Sequence, residues 1–221
     1  SLCDCLNFGN PEKAERMGEF YEATRGLGDM AKALCLPFVS GNVSFYNESP
    51  KTAVPPTPEL LGIGLVDDIR TCITSDFKQA ENPVYLVGRS TGDELGGSVY
   101  FQLMEKEGGM VPWTDADLLN TCMQGILHCI KNEYIAACHD ISEGGLAVCL
   151  AEMCIGGNLG VSVDISKIGS GLRTDEKLFS ETNTQWILEV HNQHQTSFEQ
   201  LMKQMKTPFQ HIGHTIKQHD T

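Results

Sequence analysis

Apolar and polar residues along the chain follow two spacings, one typical of strands and the other of helices. Short apolar runs predict strands over residues 2–8, 38–46, 60–66, 83–88, 134–138, 161–165, 185–190 and 209–216. Apolar residues at helical spacing predict helices that begin near residues 10, 114, 142 and 197 and end near residues 36, 130, 157 and 206. Strands that alternate with helices are typical of layered α/β proteins, α+β arrangements included.

A polar stretch from about residue 67 to residue 82 separates two groups of predicted elements. We therefore expect two domains: residues 1–80, with one helix and a few strands, and residues 81–221, with alternating strands and helices. At 221 residues, the chain is long enough for either part to bury an apolar core.

The composition narrows the range of functions. The formal net charge of −13 repels nucleic acids and anionic membranes. Because the same charge repels anionic small ligands, backbone N–H groups and a divalent cation would have to attract any phosphate ligand locally. No apolar run approaches the roughly 20 residues of a membrane helix. The nine cysteines are odd in number and scattered, with Cys122, Cys149 and Cys154 on apparent core faces, which favours reduced thiols and a cytoplasmic location.

A first candidate site lies where the first strand is expected to turn into the first helix. The residues there read DCLNFGN, residues 4–10. A carboxylate at a strand end beside helix N–H groups suits a nucleotide ribose, a base amine or a metal-bound water. The alternative is a structural turn in which Asp4 accepts backbone N–H bonds.

A second candidate site follows the first predicted helix and reads SGNVSFYNE, residues 40–48. Gly41 lets a phosphate approach the backbone, and the side-chain oxygen of Asn42 is a hard donor suited to Mg²⁺. The hydroxyls of Ser40 and Ser44 suit a phosphate or an amide. A strand–helix–strand crossover can bring this run and the first one to the same sheet edge. The alternative is a β-bulge at Gly41 with serines that face solvent.

A third candidate site is HDISEGGL, residues 139–146, where an acid follows a strand and precedes a helix that Ser142 caps. This order is typical of a metal-phosphate cradle. Equally, Asp140 and Ser142 can satisfy only the first N–H groups of the helix, while Gly144 and Gly145 permit close packing.

Taken in order, these runs resemble one family of enzymes. The resemblance covers nearly the whole chain and rests on DCLNFGNPEK, VSGNVSFYNES, PTPELLGIGLV, DELGGSVY, ACHDISEGGLAVCLAEM and LFSETNTQWILEV. These runs resemble the second half of the large subunit of phosphoribosylformylglycinamidine synthases, the ATP-dependent amidoligases of purine biosynthesis.

The resemblance implies a two-part ATP-binding architecture of the aminoimidazole ribonucleotide synthetase type, present twice in the full-length subunit. The first domain here would be incomplete, with an open sheet edge. Matched motif to motif, Asp4 and Gly41 would contact ATP, Asn42 would bind Mg²⁺, and Ser44 would contact formylglycinamide ribonucleotide. The catalytic histidines would belong to the amino-terminal half of the enzyme, so no catalytic residue is assigned in this chain.

The family's reaction begins when ATP phosphorylates the amide oxygen of the substrate. Ammonia from a separate glutaminase subunit or domain then displaces phosphate to give the amidine. The resemblance therefore implies ATP and Mg²⁺ as cofactors, and as partners the amino-terminal half and a glutaminase. We expect residues 1–221 to be inactive alone. Asp140 is left without an assigned role, and so is Glu181, because ETNTQW lacks the arginine usual in the family.

Two other functions stay open at this point. One is a related kinase or synthetase that acts as a homodimer, which would need an acidic metal cluster in a preceding strand. The other is a non-catalytic module that binds a nucleotide to hold subunits together. Nucleotide binding that survives Asp140→Ala would count against a site centred on that residue.

Overall fold

A three-stranded sheet forms the centre of the amino-terminal unit, Ser1–Asp67. The computed structural model describes residues 1–217, so the end of the predicted 81–221 domain lies outside the described residues. The elements of this unit are β1 (Leu2–Asn7), α1 (Ala14–Ala33), β2 (Phe38–Ser44) and β3 (Thr57–Gly62). In the sheet order β2-β1-β3, β1 is parallel to β2 and antiparallel to β3. Two parallel neighbours need a crossover connection, and α1 provides it.

Helix α1 packs on the sheet through an aromatic cluster. The ring of Phe20 lies edge-on to Phe8 at 5.2 Å and to Phe45 at 5.0 Å, measured between ring centroids. Edge-to-face pairs of this kind stabilise beyond the area that they bury. The helix begins at Ala14, later than predicted, because Asn10 accepts an N–H bond from Glu12 and so caps a preceding turn.

The predicted strands of this unit need two corrections. The predicted strand over residues 38–46 is two residues too long, since β2 covers Phe38–Ser44; it runs unbroken through Gly41, and its register shift lies at the start of β1. The predicted strand over residues 60–66 is shifted, since β3 covers Thr57–Gly62. β3 is an edge strand that pairs its last residue, Gly62, with Leu2, the first residue of β1, so the antiparallel ladder ends where β1 begins.

The second unit begins at Asp68 and contains a five-stranded antiparallel sheet of order β5-β7-β4-β8-β6. Its strands are β4 (Pro83–Gly88), β5 (Ile135–Asp140), β6 (Leu159–Val163), β7 (Gln185–Val190) and β8 (Phe209–Lys217). Its α-helices are α2 (Val99–Leu103), α3 (Ala116–Lys131), α4 (Gly145–Gly157), α5 (Thr174–Phe179) and α6 (Gln195–Met205). Single turns of 3₁₀-helix occur at Ile69–Thr71 and Asn192–His194.

Helices cover both faces of this sheet. Along β4, Val84 and Leu86 enter a core that contains α4 residues, whereas Tyr85 and Val87 enter a second core with α3 and α6. A strand buried on both faces is apolar at successive positions, and this explains why the run at 83–88 was predicted with its correct bounds. The predicted α/β class, with α+β character, is confirmed. Within the described residues, no helix has both the length and the hydrophobicity of a membrane span.

A buried carboxylate fixes the segment that leads into β4. Glu189 of β7 is fully buried and accepts hydrogen bonds from the backbone N–H groups of Lys78 (2.7 Å) and Gln79 (3.0 Å). The side-chain amide of Asn82 donates a third bond, at 2.7 Å. A buried charge is tolerated only when donors of this kind surround it. Glu189 therefore ties residues 78–82 to the centre of the sheet.

All nine cysteines are free thiols in the structure. Of the three placed on core faces from the sequence, Cys122 and Cys149 are buried and Cys154 is half-buried. Burial raises the pKa of Cys122 to about 11. Such thiols act as small apolar core residues because the reactive thiolate is scarce at neutral pH.

Candidate functional site

The pairing of β1 with β2 brings the four predicted site residues together. Asp4 lies beside Gly41, Cys5 beside Asn42, and Asn7 beside Ser44. The strand–helix–strand crossover thus juxtaposes two runs that are more than 30 residues apart in sequence. Their expected meeting on one sheet follows directly from the parallel register.

Asp4 and Gly41 are in direct contact. A Cβ atom placed on Gly41 would lie 2.5 Å from Oδ1 of Asp4 and 2.8 Å from its Oδ2. The carboxylate therefore occupies the space above the Cα atom of Gly41. A glycine is required there because any side chain would displace this carboxylate. The alternative of a β-bulge at Gly41 is not observed.

The four residues divide between the two faces of the sheet. Successive residues of a strand point to opposite faces, and paired residues share a face. Asn42 and Ser44 therefore share one face with Cys5 and Asn7, whereas Asp4 and Gly41 belong to the other. β2 is an edge strand, so a ligand that follows this edge can reach both faces.

Asn42 has an oxygen available for a cation. Its side chain is exposed, and its Nδ2 lies 4.0 Å from the sulfur of Cys5, which leaves Oδ1 without a bond in the described part of the chain. An amide oxygen is a ligand that Mg²⁺ accepts. Among residues 1–217, no three His, Cys, Asp or Glu side chains are arranged to hold a metal. Asn42 thus fits Mg²⁺ only as one ligand among others from a bound phosphate or another part of the protein.

The turns that follow β1 and β2 are tied together by Glu48. Its carboxylate accepts a hydrogen bond from the backbone N–H of Asn10 at 3.1 Å and forms an ion pair with Lys13 at 2.6 Å. The hydrogen bond from Lys13 is the main reason why the pKa of Glu48 is lowered. Since the two candidate runs end in these turns, Glu48 holds both of them in register.

The third candidate site is filled by a side chain of the protein itself. Oε1 of Glu181 accepts N–H bonds from Gly144 at the start of α4 and from Val99 at the start of α2, both at 2.9 Å. A carboxylate is favoured at a helix N-terminus for the same reason as a phosphate. Glu181 was assigned no role from the sequence. No local signal indicates it, because its partners lie 37 and 82 residues away.

The glycines at the start of α4 serve close packing. A Cβ atom on Gly145 would lie 2.7 Å from the backbone oxygen of Ser180, and the φ of Gly145 is +67°. The predicted cap at Ser142 is wrong, since Gly144, two residues further along, occupies the N-cap position and provides no side chain. Asp140 is exposed at the end of β5 and keeps no assigned role.

The second unit identifies the family. Residues 79–221 match the family described as AIR synthase related protein, C-terminal domain. This match spans most of the chain, and the chain belongs to this family.

Curated relatives point to one member of that family. The chain is 44% identical over 199 residues to the phosphoribosylformylglycinamidine synthase subunit PurL of Methanothrix thermoacetophila, covering 86% of this chain and 26% of the relative. It is 43% identical over 190 residues to PurL of Thermoplasma acidophilum, covering 86% of this chain and 24% of the relative. The resemblance inferred from the sequence motifs is confirmed. The chain spans about a quarter of the length of these relatives.

Solved structures support the fold. The chain matches T. maritima PurL complexed with FGAR with a TM-score of 0.80 and 16% identity, over 98% of this chain and 35% of that one. E. coli HypE, a hydrogenase maturation protein, matches with a TM-score of 0.73 and 12% identity, over 98% of this chain and 67% of that one. At these identities the likeness shows the fold alone, which is the AIR synthetase type expected from the motifs.

Proposed function

We propose that this chain is part of a phosphoribosylformylglycinamidine synthase, the ligase that converts formylglycinamide ribonucleotide to formylglycinamidine ribonucleotide in purine biosynthesis. The observation that carries the proposal is the identity of 44% over 86% of the chain with a curated PurL. The pairing of the DCLNFGN and SGNVSFYNE runs supports it, because these runs are the ones that would contact ligands.

Each of the four residues has a distinct role in this proposal. The Asp4 carboxylate and the open backbone of Gly41 hold ATP, and Asn42 gives its amide oxygen to Mg²⁺. Ser44 binds the formylglycinamide ribonucleotide on the same sheet face as Asn42. Mg²⁺ would neutralise charge on the phosphates of ATP. The chain therefore positions the nucleotide and the substrate so that the amide oxygen meets the γ-phosphoryl group.

The rest of the active site belongs to other parts of the protein. The relatives are about four times as long as the matched region, and the remaining length would supply the catalytic histidines and the acidic metal ligands. A glutaminase subunit or domain would supply ammonia, and the site of action would be the cytoplasm. The net charge of −13 disfavours anionic ligands at long range, so these local groups must provide the attraction.

Alanine substitutions in the full-length protein that carries this chain test the assignment. Asp4→Ala should raise KM for ATP, Ser44→Ala should raise KM for formylglycinamide ribonucleotide, and Asn42→Ala should raise the Mg²⁺ concentration needed for half-maximal rate. Each effect should be about tenfold or more, since a hydrogen bond to a charged group contributes about 1.5–3 kcal/mol.

Asp29→Ala is the matched control for these substitutions. Asp29 is exposed on α1, outside both candidate runs, so all three parameters should stay within about twofold of the parent. Parent-like kinetics in all three candidate variants would refute the site.

A further inference from the structure

The side chain of Asn47 contacts Ser44 at two points. Its Nδ2 donates a hydrogen bond to the backbone oxygen of Ser44 at 3.0 Å. Its Oδ1 lies 3.4 Å from the hydroxyl oxygen of Ser44. Both residues are half-buried, so the contacts are partly shielded from water. The side-chain amide of Asn47 thus contacts both the backbone carbonyl and the hydroxyl of Ser44.

The first contact determines the direction of the second. The carbonyl of Ser44 can only accept, so the amide must present its NH₂ group there. Its oxygen is then the atom that faces the hydroxyl. The single proton of the Ser44 hydroxyl is drawn toward Oδ1 of Asn47, and the lone pairs of Oγ are left for another partner.

The backbone of Asn47 is anchored independently of its side chain. Its N–H donates to the backbone oxygen of Phe8 at 3.2 Å, and its backbone oxygen accepts from the N–H of Val54 at 2.9 Å. Removal of the side chain therefore leaves the path of the loop in place. A change in ligand binding can then be attributed to the contact with Ser44.

We propose that Asn47 is a positioning residue for the substrate. It fixes Ser44 as a hydrogen-bond acceptor, so that Ser44 receives an N–H or O–H group of the formylglycinamide ribonucleotide. The inference rests on the proposed function, because it acts through the substrate contact of Ser44. It assigns a role to a residue outside the four expected from the family motifs.

A double-mutant cycle in the full-length protein tests this role. Asn47→Ala should raise KM for formylglycinamide ribonucleotide about fivefold, as expected for the loss of one neutral hydrogen bond, and should leave KM for ATP within about twofold. Once Ser44 is alanine, the further change Asn47→Ala should alter KM for the ribonucleotide by less than about twofold.

Ser49→Ala separates positioning from general damage to the loop. Ser49 lies in the same loop, where its hydroxyl accepts N–H bonds from Lys51 and Thr52, and it makes no contact with Ser44 among the described residues. Its replacement should leave KM for formylglycinamide ribonucleotide within about twofold of the parent.

The possible outcomes distinguish this inference from the proposed function. If Asn47→Ala raises KM by the same factor with and without Ser44, or has no effect on it, the positioning role is refuted while the proposed function stands. If Ser44→Ala itself leaves KM for the ribonucleotide unchanged, both the positioning role and the assignment of Ser44 to the substrate are refuted.

Discussion

At the residue level, the candidate site depends on the contact between the Asp4 carboxylate and the backbone of Gly41. Asp4 and Gly41 are separated by a 20-residue helix, yet the parallel register places the carboxylate where a Cβ atom of residue 41 would be. The two residues depend on each other, because the absence of a side chain at Gly41 leaves the space that the Asp4 carboxylate occupies. A sequence can indicate such a pair only as two separate motifs, because their contact depends on the register.

Substitution of Gly41 tests this contact. In the full-length protein, Gly41→Ala should force Asp4 into another rotamer and raise KM for ATP at least about fivefold. Gly64→Ala is the matched control, since a Cβ atom there meets nothing within 4 Å. An unchanged KM for ATP in Gly41→Ala would show that the position of Asp4 is unimportant for the nucleotide.

The contacts of Asp76 predict that the free energy of unfolding depends on pH. Hydrogen bonds from Lys78 and Thr74 lower the pKa of Asp76 from 3.8 to about 2. A lowered folded-state pKa adds stability above the unfolded-state value, and this contribution is lost as the pH falls through the folded-state value. Asp76→Asn should therefore be less stable than the parent at about pH 6, with a difference that shrinks between about pH 4 and pH 2.

Urea unfolding of residues 1–221 across this pH range measures the difference, with the exposed Asp29→Asn as the control. A stability gap that stays constant down to about pH 2 would contradict the assignment to the ionised form of Asp76.

At the scale of elements, the buried strands were predictable and the edges were not. The strands at 83–88 and 185–190 match the predicted bounds because both faces of the sheet bury apolar residues. β3 is an edge strand whose Leu60 and Leu61 are exposed, so no burial pattern marks its limits. The five-residue helix α2 was missed because it is too short for a periodic pattern. The capping role of Glu181 joins distant segments and needs the fold itself.

Glu189 tests how the central sheet of the second unit is stabilised. Glu189→Ala removes the acceptor of three hydrogen bonds and leaves two partly buried backbone N–H groups and the buried amide of Asn82 unpaired, so the free energy of unfolding should fall by about 3–5 kcal/mol. Urea unfolding measures the loss, with the exposed Glu107→Ala as the control. A loss below about 1 kcal/mol would show that water can accept the three hydrogen bonds in place of the Glu189 carboxylate.

At the scale of the whole molecule, the chain combines a family-defining second unit with an amino-terminal unit that carries the candidate ligand residues. The second unit has its own core and a sheet covered on both faces. The helix start predicted there as a phosphate cradle is filled by Glu181. The proposed contacts to ATP, Mg²⁺ and substrate therefore lie in the unit Ser1–Asp67.

We propose that residues 1–221 contribute ligand contacts but cannot complete the reaction. The most direct test is the rate of ADP release by this polypeptide, with and without formylglycinamide ribonucleotide, at saturating ATP, Mg²⁺ and ammonia. The full-length protein that carries the chain serves as the reference. We predict no ADP release that depends on the ribonucleotide from residues 1–221. Turnover near that of the full-length protein would show that residues 1–221 contain a complete active site.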